Sequence, residues 1–163
     1  MNAYPALVKE WHRTKNRNLK PEDFTFGSHK RVWWKCQKGE DHEWETTINS
    51  RTSQDTGCPF CSGQKVSKTN SLAAMFPEIA SQWHQTKNGI LKPEDFTSGS
   101  GKKIWWRCIK SEDHEWEANV ANRSNGTGCP VCRGLKVVKS NCLATLNPEV
   151  AKQWHPVNNG KLT

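Results

Sequence analysis

The sequence predicts small α+β repeats, each a β-hairpin with two metal-binding turns and short connecting helices. Three observations lead to this prediction: cysteines and histidines recur at fixed spacings, the surrounding sequence recurs with them, and the chain has little apolar material. Its 163 residues are only 34% hydrophobic. Units of this size bury too little apolar surface to be stable without a further constraint, which a bound metal supplies.

The spacing of the cysteines and histidines predicts the metal ligands. Five residues separate Cys36 from His42, fifteen lead to Cys58, and two lie between Cys58 and Cys61. The second set has spacings of five, fourteen and two, and comprises Cys108, His114, Cys129 and Cys132. Three thiolates and one imidazole make a closed tetrahedral site for Zn²⁺, without the open position of a catalytic zinc. The sequence therefore predicts two structural zinc ions.

The repeat extends beyond the ligands. A Trp-His dipeptide recurs in each copy, at Trp11, Trp83 and Trp154. Adjacent tryptophans precede the first cysteine of both full copies, and the offset between copies changes from 72 to 71 after Arg51 and Arg123. We therefore expect a first zinc-binding repeat over residues 1–71, a second over 72–142, and the helical start of a truncated third over 143–163.

Local signals place these motifs on short elements. Apolar residues from Leu72 onward have helical spacing, and Pro77 is expected at the first position of a second short helix. Strands are expected through Lys102–Cys108 and Glu115–Val120, and Thr46–Asp55 in the first copy is expected to hold the end of the second strand and its polar loop. A strand, a knuckle, a second strand and a second knuckle in this order describe a zinc ribbon or treble clef.

Both copies contain one extended pattern. It reads Ser-x-Lys-x-x-Trp-Trp-x-Cys, then His-Glu-Trp, an Arg and Gly-Cys-Pro-x-Cys, beginning at Ser28 and Ser100. This pattern resembles the probable zinc-ribbon family of treble-clef domains over nearly the whole chain. The resemblance implies tandem copies and association with nucleic acid, sometimes beside a nuclease-like domain. The chain departs from the family's shorter Cys-to-His spacing by a Glu-Asp insertion, which leaves Asp41 or Asp113 as an alternative fourth ligand.

The charge favours a polyanionic partner. The formal net charge is +8, and six ligand thiolates with two zinc ions change it by −6 + 4, to about +6. Cations recur in register around one strand while acids gather elsewhere, so we expect phosphate contacts from Lys30, Arg31, Lys35, Lys102, Lys103 and Arg107. Base-edge contacts are expected from Asn49, Arg51, Asn122 and Arg123, because amide and guanidinium groups read the major groove.

The predicted function is therefore a non-catalytic tandem zinc module that binds double-stranded DNA, with base readout by each repeat. The alternatives are a protein–protein interaction module and a binder of RNA or single strands, for which exposed tryptophans would serve as stacking platforms. We expect no enzymatic activity, although further repeats or a nuclease domain could share the parent chain.

The start of the chain, from Met1 to Pro5, lacks the basic and apolar regions of a signal peptide. No apolar run is long enough to cross a bilayer. We therefore expect an intracellular protein without a membrane partner, in the cytoplasm and, if bacterial, associated with the nucleoid.

Overall fold

The computed structural model describes residues 4–155 and 157–159. These residues form two compact units. One holds the chain up to Met75 together with Pro93–Ser98, and the other holds Phe76–Lys92 together with the chain from Gly99 onward. The sequence repeat placed its boundaries after residues 71 and 142, and those boundaries stay a prediction.

The elements of the first unit are short and follow the expected order. They are helix α1 (Pro5–Lys9), a 3-10 turn (Pro21–Asp23), strands β1 (Arg31–Lys35) and β2 (Glu43–Thr47), and helices α2 (Ile48–Thr52) and α3 (Leu72–Met75). A further 3-10 turn, Pro93–Asp95, also belongs to this unit.

The second unit repeats this order around its own hairpin. Its elements are helix α4 (Pro77–Ala80), strands β3 (Lys103–Arg107) and β4 (Glu115–Asn119), helices α5 (Val120–Ser124), α6 (Leu143–Leu146) and α7 (Pro148–Ala151), and a 3-10 turn (Lys139–Asn141). Pro77 is the first residue of its helix, as expected, where a missing backbone N–H costs nothing.

Each unit is built around an antiparallel hairpin that brings two tryptophans together. In the first, Trp34 lies opposite Trp44, and in the second Trp106 lies opposite Trp116. Side chains alternate between the two faces of a strand, so Trp34 is fully buried while its neighbour Trp33 is on the partly exposed face. The small core of the first unit consists of Trp11, Val32, Trp34, Cys36, Trp44, Ile48 and Cys58.

The segment around the first tryptophan adds a short edge to the hairpin. Trp11 forms an antiparallel bridge with Trp34, and their rings meet edge to face with centroids 5.7 Å apart. The backbone N–H of His12 donates to the carbonyl of Trp33 at 3.0 Å, and that of Lys35 donates to Glu10 at 2.7 Å. The hairpin is thereby held on the edge of β1 that does not face β2.

An asparagine side chain completes this contact. Asn16 is buried and holds the backbone of Trp33 at both ends: its Nδ2 donates to the carbonyl at 2.8 Å, and its Oδ1 accepts from the N–H at 2.7 Å. Asn88 makes the same two contacts with Trp105, both at 2.9 Å. The Trp-His-x-x-x-Asn segment therefore grips the strand through the backbone as well as through its tryptophan.

A helix lies where the sequence predicted a polar loop. Within Thr46–Asp55, α2 begins directly after β2 because the Thr47 hydroxyl accepts from the backbone N–H of Ser50 at 3.2 Å and caps the first turn. Ile48 and Thr52, four residues apart, are both buried. The expectation of a loop was wrong because one helical turn with a single apolar face leaves too little periodicity to detect.

The described residues contain no helix with the length and apolar character needed to cross a bilayer.

Replacing Asn16 by Ala removes two hydrogen bonds from a buried backbone and should lower the free energy of unfolding of the first unit by about 1–3 kcal/mol. Asn18→Ala, at an exposed position nearby, is the control and should change it by less than about 0.5 kcal/mol. Native-state hydrogen exchange of the β1 amides measures this unit separately from the other. Equal effects of the two substitutions would contradict the role assigned to Asn16.

Candidate metal centres

The four predicted ligands of the first unit converge on one point. Sγ of Cys36 lies 3.7 Å from Sγ of Cys61, and Nδ1 of His42 lies 3.6 Å from Cys61 Sγ and 3.8 Å from Cys58 Sγ. Bonds of about 2.3 Å to sulfur and 2.0–2.1 Å to nitrogen give a tetrahedron with edges of roughly 3.5–3.8 Å. The ligand atoms therefore have the spacing that a zinc ion requires.

The second unit has the same arrangement. Cys108 and Cys132 have their sulfurs 3.7 Å apart, and Nδ1 of His114 lies 3.4 Å from Cys132 Sγ and 3.8 Å from Cys129 Sγ. In each set all four ligand atoms lie within 4.8 Å of one another. These two Cys3His sites fit two structural zinc ions, as predicted.

Two turns of the chain present the ligands. The first follows β1, where the N–H of Cys36 donates to the carbonyl of His42 at 3.0 Å and closes the hairpin. Gly39 lies inside this turn, and a Cβ there would come within 2.6 Å of the His42 ring. The second turn, Cys58 to Cys61, is followed by Gly63 with φ of +74°, a conformation that favours glycine.

Hydrogen bonds to the inserted acidic residue decide the fourth ligand of the first site. Asp41 accepts from the backbone N–H of Lys68 at 2.6 Å and so holds the segment after the second knuckle. That segment brings the hydroxyl of Ser67 within 3.1 Å of His42 Nε2, which leaves Nδ1 directed at the cysteines. The histidine is the ligand, and the aspartate supports it indirectly, by holding the segment that carries Ser67.

The second site is supported in the same way. The carboxylate of Asp113 accepts from both the N–H and the hydroxyl of Ser140, at 2.8 Å each, and Ser140 Oγ lies 2.9 Å from His114 Nε2. Hydrogen bonds from Ser111 and Ser140 lower the pKa of Asp113 to about 2. Ionised Asp113 therefore tethers the segment that orients the histidine.

In each centre the second cysteine of the knuckle ionises less readily than a free thiol. Burial and hydrogen bonding to the neighbouring thiols Cys36 and Cys58 raise the pKa of Cys61 to about 12, and the same causes raise that of Cys132 to about 11. A divalent cation reverses this tendency because it stabilises coordinated thiolate directly. The donor set thus suits Zn²⁺, and metal binding and folding are coupled.

Arg51 does not have the exposed position that base contact requires. Its guanidinium is 5% exposed and lies over the rings of both Trp34 and Trp44, with its carbon 5.0 and 5.1 Å from the ring centroids. Its Nη2 donates to Glu10 Oε2 at 2.5 Å. A base edge cannot reach a guanidinium enclosed in this way, so the predicted base contact is corrected to a role in the core.

Arg123 has the same position between Trp106 and Trp116, 5.3 Å from each ring centroid, and donates to Gln82 at 2.7 Å. Burial lowers its pKa, whereas the charges of Cys129 and Cys108 act in the opposite direction. A Cys3His zinc site carries one net negative charge, so this buried cation neutralises it. The predicted base contact of Arg123 is corrected for the same reason.

The other predicted nucleic-acid residues lie at the surface. Asn49 is half-buried, and the exposed ones are Lys30, Arg31, Lys35, Lys102, Lys103, Arg107 and Asn122. The predicted separation of charges is not complete, however. Arg31 pairs with Glu45 at 3.4 Å and Lys35 with Glu43 at 3.0 Å, because β2 places both acids on the same face as the cations of β1.

Glu43 also holds the residues that follow Trp11, through His12 and Lys15. Hydrogen bonds from Lys15 and Lys35 lower its pKa to about 2, and His12 Nε2 lies 3.1 Å away. The other ring nitrogen of His12 accepts from the backbone N–H of Lys15 at 3.2 Å and closes the turn after the tryptophan. Sequence reasoning missed this network, since the residues are separated along the chain and only the hairpin register brings them together.

Substitution of Cys58 by Ser should leave one zinc ion per chain and unfold the first unit only, because each site has its own ligands. His42→Ala should have the same effect, whereas Asp41→Asn should retain two ions with affinity reduced by at most about 10–100-fold. Elemental analysis and hydrogen exchange measure these outcomes. Loss of zinc in the Asp41 variant but not in the His42 variant would reverse the assignment of the fourth ligand.

Arg51→Ala should lower the free energy of unfolding of the first unit by more than about 2 kcal/mol, since it removes two cation–π contacts and a charged hydrogen bond from the core. Arg31→Ala, which removes an exposed arginine from the same unit, should change it by less than about 1 kcal/mol. Hydrogen exchange of the β1 amides compares the two. Similar small effects would show that the buried guanidinium contributes little.

Comparison with known families agrees with this geometry. The model of a family described as a probable treble clef zinc finger domain matches residues 7–64 and again residues 79–135. Among curated proteins, none matches the chain significantly. The two matches together cover more than half of the sequence and include both ligand sets. The chain therefore belongs to the probable treble clef zinc finger domain family, as two tandem zinc-binding modules.

Proposed function

We propose that these tandem modules bind double-stranded DNA without catalysis, chiefly through phosphate contacts from cations that recur at equivalent surface positions. The observation that supports this most lies along the first strand of the second hairpin. Lys102, Lys103 and Arg107 are exposed at its two ends, and none of them forms an ion pair with another described residue. Such cations can release the counterions of a duplex on binding, which gives affinity without sequence preference.

The two modules differ in how much of this charge is available. In the first, Glu45 and Glu43 partly neutralise Arg31 and Lys35. In the second, the equivalent of Glu43 is Glu115, which pairs with Lys87 and His84 instead of the arginine on β3. The second module therefore supplies the stronger phosphate contacts, and Lys30 contributes from the first.

Base readout, if each module provides it, must come from residues other than the buried arginines. Asn122 on α5 is exposed, and Asn125 follows it at the end of the helix. In the first module Asn49 is half-buried on α2, while Ser53 and Gln54 are exposed after it. Amides and hydroxyls at these positions differ between the modules, which suits contacts to different base pairs.

The tryptophans favour duplex over single strands. Trp33 is only partly exposed, and the ammonium of Lys15 lies 4.3 Å from its ring centroid. Lys87 covers Trp105 in the same way at 4.5 Å. A ring face occupied by an ammonium group is not open to an incoming base, so at Trp33 and Trp105 stacking of the kind that single-strand binders use has little support.

The phosphate role can be measured by salt dependence. Replacing Lys102, Lys103 and Arg107 together by Gln should weaken binding to any duplex and make the slope of log K against log salt shallower by roughly 2–3. The control removes the same charge elsewhere, by Lys68→Gln, Lys139→Gln and Lys152→Gln. This control should change the slope by less than about 1, and identical slopes for both triple variants would refute the proposed surface.

A competition among duplex DNA, single-stranded DNA and RNA tests the choice of nucleic acid. Duplex DNA should compete best. Preference for single strands or RNA would support the stacking alternative. Failure of all three to bind the zinc-loaded protein would leave the protein–protein interaction module as the better function.

A further inference from the structure

The last described part of the chain repeats the Trp-His-x-x-x-Asn segment of the two modules. Here, however, no described hairpin packs against it. Helices α6 and α7 and the residues up to Asn159 correspond to α3, α4 and the residues up to Asn88, at an offset of 71. Leu143 is equivalent to Leu72, and Trp154 to Trp83. We call the residues Gln153–Asn159 the third tryptophan segment; Pro156 lies outside the described residues.

The third tryptophan segment has the backbone turn of the other two. The N–H of Trp154 donates to Ala151 at 3.1 Å, as that of Trp83 donates to Ala80 at 3.0 Å. His155 Nδ1 accepts from the N–H of Asn158 at 3.1 Å, the contact that His84 makes with Lys87 at 3.3 Å. The segment therefore has this turn although no described strand pairs with it.

Its side chains are nevertheless exposed. Trp154 is 47% exposed, against 7% for Trp11 and 8% for Trp83, and Leu143 is 43% exposed, whereas Leu72 is fully buried. Leu146 is exposed too, but so is its equivalent Met75 at 55%, so Trp154 and Leu143 are the side chains whose burial differs. An exposed tryptophan beside an organised backbone edge is typical of an interaction surface.

In the third tryptophan segment, the polar groups equivalent to those that bind the strand in the two modules have no hydrogen-bond partner among the described residues. In the second module, His84 N–H donates to Trp105, Gln82 accepts from Arg107, and Asn88 holds Trp105 at both ends. The equivalent groups are the N–H of His155, the carbonyl of Gln153 and the side chain of Asn159. None of them forms a hydrogen bond with another described residue.

We propose that the third tryptophan segment docks a β-hairpin of a further zinc module, whose first strand carries the pattern apolar–Trp–Trp–basic–Cys. Adding such a strand would pair the open backbone groups of Gln153 and His155 and cover Trp154 with an indole. The same set of groups holds a strand of this pattern in both modules of the chain, and this repeated pairing identifies the occupant.

A second copy of this chain does not fit the site as well. Its two hairpins already carry their own tryptophan segments, with Trp11 on Trp34 and Trp83 on Trp106. Docking one of them here would exchange one such contact for another of the same kind. The favoured occupant is therefore a hairpin without its own tryptophan segment.

The test supplies such a hairpin. The chain is continued after Asn159 with a copy of its own residues 89–142, which carry a strand of the required pattern and four further ligands. The extended protein should bind three zinc ions, and amide exchange of His155 should become at least tenfold slower than in the original chain.

Trp154→Ala in the extended protein should make one of the three zinc ions at least tenfold easier to remove with a chelator. In the original chain the same substitution should leave two ions and the oligomeric state unchanged. Lys152→Ala, at an exposed position just before the segment, is the matched control and should have neither effect. A third zinc held equally well without Trp154, or unprotected His155, would overturn the proposal, as would Trp154-dependent dimers of the original chain.

Discussion

The tetrahedral geometry of zinc is the constraint on which each module depends. Two ligands come from the turn after the first strand of a hairpin and two from a knuckle further along, so one ion fixes both turns relative to each other. Among the described residues, five short helices and 3-10 turns accompany each hairpin, and none is long enough to be stable by itself. The ion replaces the large apolar core that a chain of this composition lacks.

The core that remains uses aromatic rings and one buried cation. Trp34 and Trp44 enclose Arg51, and the indole of Trp11 meets Trp34 edge to face. Arginine is rarely buried without a counter-charge. In the second module the zinc thiolates supply such a charge for Arg123. The buried cation of the second module thus balances the negative charge that three thiolates leave on the zinc site, whereas in the first module Glu10 pairs with Arg51.

The ligands and the alternating strands could be predicted from the sequence because both follow from local spacing. The position of Arg51 could not, since its recurrence as Arg123 fits a buried role and a binding role equally well. The acids Glu43 and Glu45 were missed as partners of the strand cations because only the hairpin register places them opposite. Helix α2 was missed because one turn carries almost no periodic signal.

The position of Trp11 and Trp83 ahead of their hairpins has a consequence for where a module begins. A fragment that starts just after Trp83 would retain every cysteine and histidine of its centre but lose the edge that grips the hairpin backbone. The set of metal-binding residues is therefore smaller than the stretch that folds as a unit. Anyone who excises, permutes or recombines these modules should choose cutting points upstream of the tryptophan.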